Sequence, residues 1–237
     1  MSTIKKVLIV VTNSAEFEKV GYRTGLWLSE LTHFWDVLEK AGLTMDIASP
    51  AGGYVPIDPE SLLMPELIQM TGLKDAVNKR YEDRAFMDQL KNTQCVAEVD
   101  ASQYEAIYLT GGHGVMFDFA NNEALAGLIA EFYENNKIVA AVCHGPCGLL
   151  NVKLSSGDYL IKDKKLTGFS WKEEQLAKRD HAVPFSLQDE LAQRGAHYEK
   201  ALIPFTEKVV EDGLLITGQN PKSAHAVGQA VLSRLNS

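Results

Sequence analysis

Two rhythms of apolar and polar positions alternate along the chain, and together they predict an α/β protein. Residues 5–12 (KKVLIVVT), 104–110 (YEAIYLT) and 137–143 (KIVAAVC) are short, nearly continuous apolar runs, the pattern of strands buried on both faces. Residues 44–49 (TMDIAS) predict another strand, ending before Pro50. Between these runs, residues 24–41 and 123–135 carry apolar side chains at helical spacing, the first stretch ended by Gly42. Further on, 165–168 predicts a strand, 186–193 a helix, 209–217 a hairpin turning at Asp212-Gly213, and 222–235 a helix after Pro221. Such alternation predicts a three-layer α/β sandwich with a mostly parallel sheet flanked by helices, and functional groups at the C-terminal ends of the strands.

Residues 52–92 break the rhythm. GGYVPIDPESLLMPELIQMTGL combines three prolines with scattered short apolar runs and leads into a charged helical stretch. The segment predicts a small inserted cap over one end of the sheet. No repeat, low-complexity tract or linker interrupts the rest, so 1–237 reads as a single domain carrying that insertion.

Composition narrows the function classes. A chain of 237 residues with 46% hydrophobic and 23% charged content has the make-up of a soluble globular protein. No apolar run approaches the ~18 residues a membrane span needs. The opening MSTIKKVLIVV superficially resembles a signal peptide, but the apolar stretch is short and leads into TNSAEFEK without a small-residue cleavage site. Cys95, Cys143 and Cys147 are an odd number of cysteines at spacings that make neither a disulfide framework nor a metal site, which points to a reducing, cytoplasmic location. A net charge of −8, with no basic cluster beyond KDKK at 162–165, argues against a nucleic-acid partner.

Candidate chemistry centres on VAAVCHGP, residues 139–146. A nucleophile on a strand-to-helix elbow needs small neighbours two residues away on either side, and Ala141 and Gly145 flank Cys143 in that way. A thiol there sits at the mouth of the sheet, beside His144 and at the start of a helix beginning near Pro146, where both are expected to favour the thiolate. The alternative is a small core cysteine at a strand end. Glu30 is a second signal: it shares the apolar face of Leu26, Leu31 and Phe34, where a carboxylate loses its hydration and its pKa rises. Its alternative is a place at the margin of the stripe, reaching water. Third, Thr110-Gly-Gly-His-Gly114 ends a buried strand with glycines whose amides can face a ligand, without the lysine of a P-loop or the spacing of a dinucleotide fingerprint.

AVCHGP, TGGHG, Glu30, LTGFSWKEE and LLITGQNPKSA together resemble the ThiJ/PfpI superfamily of the class I glutamine-amidotransferase-like, flavodoxin-like fold, and in particular its longer glyoxalase III-like, heat-shock-chaperone-like branch. The resemblance spans nearly the whole chain. It implies that Cys143 is the nucleophile, His144 its triad histidine and Glu30 the carboxylate beside the thiol. It implies Glu174 as the acidic third member, with Glu173 the adjacent alternative. Amides of Gly112 and His144 would form the oxyanion hole, and Gly111 and His113 would line the substrate. A homodimer is also implied.

The activity expected from the resemblance is a cofactor-independent, glutathione-independent glyoxalase converting methylglyoxal or glyoxal to a hydroxy acid, or a deglycase acting on glycated adducts with the same residues. A cysteine peptidase or amidase is an alternative. So is a holdase chaperone or redox sensor, which would need an exposed apolar patch such as Leu62, Leu63, Met64, Leu67 and Ile68. His197-Tyr-Glu199 has the form of an amidotransferase His-x-Glu but reads as an edge strand. His33 and His225 read as structural, Cys147 as core. Glu60 and Glu66 lack a histidine at ligand spacing, so no metal is expected.

Overall fold

A computed structural model describes residues 5–63 and 73–237. Its centre is a seven-stranded sheet in the order β3-β2-β1-β4-β5-β9-β8. The strands are β1 Lys6–Val10, β2 Thr44–Ser49, β3 Gln94–Cys95, β4 Ala106–Leu109, β5 Ile138–Val142, β8 Val209–Asp212 and β9 Leu215–Gly218. All neighbours run parallel except the β8–β9 hairpin. β6 Lys165–Leu166 and β7 His197–Tyr198 form a separate two-stranded parallel ribbon.

The unbroken apolar runs follow from burial on both faces. β4 and β5 are buried at every residue, and each face supports its own core. Helix α1, Leu28–Lys40, and the terminal helix Ala224–Leu235 cover one face, where Phe34 stacks on Tyr108 of β4 at a centroid distance of 3.7 Å. The Glu123–Glu134 helix covers the other, started by the Asn122 side chain accepting from the Leu125 amide.

Helix α1 begins at Leu28, not at residue 24 as the periodicity predicts. Residues 24–27 are extended because the Leu26 amide donates to Pro56 O and the Asp58 amide returns to Leu26 O. Gly25, at φ +153°, lies so close that a Cβ would fall 2.3 Å from Pro56 O. A short edge strand, β3, joins β2 without any apolar run to announce it.

The 52–92 segment leaves and re-enters the sheet region at one point, where Gly53 and Thr93 exchange both amide hydrogen bonds at 2.9 Å. Its described helices are Pro59–Leu63, Leu73–Glu82 and Arg84–Asp88. Arg80 is tied to Asp36 and Glu39 of α1, and Phe86 meets Trp35 edge-on. Glu66, Met64, Leu67 and Ile68 fall outside the described residues, and so does the Leu63 side chain; Leu62 is exposed. Among the described residues no helix is long and apolar enough to cross a membrane.

Candidate active site

The strand order reverses between β1 and β4, and the chain segments leaving β1, β4 and β5 meet at their carboxyl ends, the crevice where such folds bind ligands. Cys143 follows β5 directly and adopts φ 58°, a left-handed conformation that is strained for a side-chain-bearing residue. Phe169 N donates to its carbonyl at 2.8 Å, and its own amide donates to Gly218 O at 2.9 Å, so both flanks hold the turn. Gly145 satisfies the demand for a small neighbour: a Cβ there would lie 2.4 Å from Leu109 O.

Adjacent residues complete a hydrogen-bonded line. Cys143 Sγ lies 3.3 Å from His144 Nδ1, and His144 Nε2 lies 2.8 Å from Glu174 Oε2. The other oxygen of Glu174, Oε1, lies 2.7 Å from His113 Nε2. Burial opposes the charge on Glu174, but the two imidazoles more than offset it and hold the carboxyl well below the usual carboxylate range. An ionised Glu174 only accepts, so each ring presents an Nε2–H to it, and His144 Nδ1 is left as the acceptor facing the thiol. Burial, followed by the neighbouring His113, pushes the His144 pKa down, so the ring is a neutral base at rest.

Glu173 faces elsewhere. It closes a capping box with Ser170 at the start of the Trp171–Leu176 helix, and accepts from Gln219 Nε2 at 2.8 Å, Asn220 Nδ2 at 3.0 Å and the Phe205 amide at 2.7 Å. Of the two adjacent glutamates, Glu174 is therefore the one in contact with the histidines.

Glu30 is fully buried in the first turn of α1. Its Oε2 accepts from the Gly111 amide at 2.6 Å, and Tyr108 Oη donates to its carbonyl at 3.0 Å. Oε1 has no hydrogen bond of normal geometry, although the carboxyl and the Cys143 thiol are close enough for their protons to be linked. Burial raises the Glu30 pKa to about 8, against the lowering influence of Cys143 and the Gly111 amide. Burial likewise pushes the Cys143 thiol well above its ordinary value, with Glu30, Glu173 and Glu174 adding to the effect.

This corrects the expectation of a resting thiolate. The thiol is 3% exposed and lies in the field of the Glu30, Glu173 and Glu174 carboxyl groups, and the helix after the elbow is only a five-residue 3-10 turn, Gly145–Leu149. A turn that short has little dipole to set against desolvation.

Gly112 adopts φ +96°, and a Cβ there would fall 2.2 Å from Gly25 O. Its position is therefore closed to any other residue without displacement of the Gly25–Trp27 strand. Among the described residues neither the Gly112 nor the His144 amide donates to a protein acceptor, whereas the Gly111 amide is taken by Glu30. The His144 amide would lie 2.9 Å from a Cβ on Gly111, which places it beside the glycine turn.

His113, His144 and Glu174 also place their ligand atoms within 4.8 Å of one another, the one set of metal-compatible donors among the described residues. The carboxylate already takes a ring nitrogen on each oxygen, so the trio is internally satisfied as a hydrogen-bond network. The remaining candidates lie apart from this chemistry. His197 is exposed on β7, Glu199 pairs with Lys208 at 2.8 Å, His225 is exposed on the terminal helix, His33 is buried in α1, and Cys147 is fully buried in the core.

Comparison with known proteins finds relatives over nearly the whole chain. The DJ-1/PfpI family model matches residues 5–234. The protein named glutathione-independent glyoxalase HSP31 of Saccharomyces cerevisiae is 31% identical over 94% of both chains, and glyoxalase 3 of Candida albicans is 29% identical over 96% of this chain and 97% of its own. Among solved structures, the Francisella tularensis Rapid Encystment Protein 24 KDa superposes with a TM-score of 0.90 at 36% identity, covering 98% of this chain and 99% of its own. The crystal structure of Candida albicans glyoxalase III superposes with a TM-score of 0.81 at 28% identity, covering 97% and 96%. An elbow cysteine at the carboxyl end of a parallel sheet, a family match over nearly the whole length and these relatives lead to one assignment: the chain belongs to the DJ-1/PfpI family.

Proposed function

We propose that this protein is a glutathione-independent glyoxalase that converts methylglyoxal and water to lactate. The observation that carries the reading is the buried line Cys143–His144–Glu174 with the protonatable Glu30 beside the same sulfur. The glyoxalase names of the relatives support it.

His144 Nδ1 takes the thiol proton as sulfur adds to the aldehyde carbon, and the proton passes to the new alkoxide to give a hemithioacetal. Gly112 and His144 amides face that oxygen while it is charged. Removal of the aldehyde-derived C–H proton gives an enediolate, and return of a proton to the adjacent carbon gives a lactoyl thioester. Glu30, with a pKa of about 8, is matched to this shuttle because it both gains and loses a proton near neutral pH. Water then hydrolyses the thioester, releasing lactate and restoring the thiol. Every step uses the chain's own side chains. Gly111 and His113 line the substrate position in this reading, and the same first adduct would serve glycated substrates.

The wider organisation follows: one domain with 52–92 as an inserted cap, acting as a homodimer in the cytoplasm. Three free cysteines support a reducing location. The decisive experiment is lactate production from methylglyoxal without glutathione by reduced wild-type protein and by Cys143→Ala. Wild-type turnover abolished in the variant is expected; no turnover by reduced wild type sinks the proposal.

A further inference from the structure

His113 stands outside the thiol–imidazole–carboxylate line yet binds its far end. Its Nε2 lies 2.7 Å from Glu174 Oε1, a contact as short as the one His144 makes with Oε2. The ring is only 7% exposed and packs between Phe17, at a centroid distance of 5.0 Å, and the His144 ring, at 4.3 Å. Phe169 closes on both imidazoles. Glycines at 112 and 114 fix the backbone on either side, since a Cβ at either position would collide with neighbouring main chain.

A carboxylate shared by two N–H donors cannot give its full charge to either. We propose that His113 is a positioning residue for the thiol–imidazole pair: by occupying Oε1 it fixes the plane of Glu174, and by sharing the carboxylate it keeps His144 a neutral base whose open Nδ1 faces Cys143. The charged neighbours are few. Asp58, from the inserted segment, acts on His113, and Glu174, Glu173 and His113 act on His144. Of these charged neighbours, Glu174 is the one hydrogen-bonded to both rings. Removing the His113 donor lets Glu174 serve His144 alone, which stabilises the imidazolium and moves the proton uptake of His144 to higher pH. The base is then available only above that higher pH.

The role in turnover rests on the glyoxalase reading, but the effect on His144 does not, so the primary readout is independent of substrate. NMR titration of the His144 ring in histidine-labelled wild type, His113→Leu, His113→Asn and His113→Gln gives it directly, with thermal midpoints reporting folding. Leucine removes the donor, and the asparagine amide overlies Nδ1 and falls short of Glu174. The glutamine amide overlies Nε2 and keeps the bond. Leu and Asn are expected to raise the His144 midpoint by about one pH unit, a tenfold change in its proton affinity, and Gln to return it close to wild type. In lactate assays the acid limb of kcat/KM should follow the same order. A His144 midpoint that is the same in Leu, Asn and wild type overturns the proposal, as does a Gln variant that tracks Leu. Loss of lactate formation in every protein, with the NMR order intact, would strike the glyoxalase reading and leave this one standing.

Discussion

Glu30 Oε2 accepts the Gly111 amide at 2.6 Å, so the carboxylate of a helix and the turn after β4 are locked together beneath the thiol. That contact holds Glu30 in a place where its charge is costly. Its folded pKa of about 8 lies above the ordinary 4.5, so the folded state binds the proton more tightly than the unfolded chain. The contribution of Glu30 to stability is therefore fully present below about pH 4.5 and is lost as pH rises through about 8.

Glu30→Gln removes this loss. The variant should be more stable than wild type at pH 8 by about 2–3 kcal/mol, a midpoint gain of ~5 °C, with little gain at pH 4.5. Lactate formation should fall at least ~100-fold, the typical worth of a positioned acid–base group. Calorimetry at the two pH values, with the assay in parallel, checks both. Equal gains at both pH values would refute the buried-charge account.

Cys143 should behave as a protonated thiol at rest. Alkylation of the reduced protein by iodoacetamide, followed peptide by peptide by mass spectrometry, should show Cys143 reacting only as pH rises past the ordinary thiol range, because burial and three carboxylates oppose its ionisation. Rapid labelling at pH 6 would contradict the observed environment.

Glu173 and Glu174 should separate cleanly. Glu174→Gln should keep the fold and reduce kcat by ~100-fold or more, because His144 loses the charge that stabilises its protonated form. Glu173→Ala should act first on stability, by about 3 kcal/mol, since it removes a capping box and leaves buried donors of Gln219 and Asn220 without their acceptor. Urea unfolding and kinetics on the two variants distinguish them.

Gly112→Ala should cost about 2–4 kcal/mol and abolish turnover, since the new methyl meets Gly25 O in a backbone region that favours glycine. Gly127→Ala, where a Cβ meets open space in a helix, should be neutral or stabilising by a few tenths of a kcal/mol. Thermal midpoints of the pair test whether space alone sets the difference.

Much of this site was legible in the sequence because its signals are local. The small residues around Cys143 and the misplaced carboxylate in the apolar stripe of α1 both follow from a few consecutive positions. Tertiary facts were hidden. Glu173 and Glu174 occupy one helical turn, and only the approach of His113 and His144 on one side and Gln219 and Asn220 on the other tells them apart. Residues 24–27 carry helical spacing, yet Pro56 draws them into an extended bridge. β3 is two residues long, too short for any period, and exists because β2 offers it a partner. The resting state of the thiol depends on burial by distant segments, which adjacent residues do not encode.

The mutual amide pair of Gly53 and Thr93 gives the 52–92 segment a common point of departure and return. The pair lies directly beside the register of β2 with β3, in which Ala48 faces Gln94 and Ser49 faces Cys95. Pro56 and Asp58 lie inside that segment and hold residues 24–27 against the Gly112 turn, so a change within it reaches the reactive centre through that extended stretch.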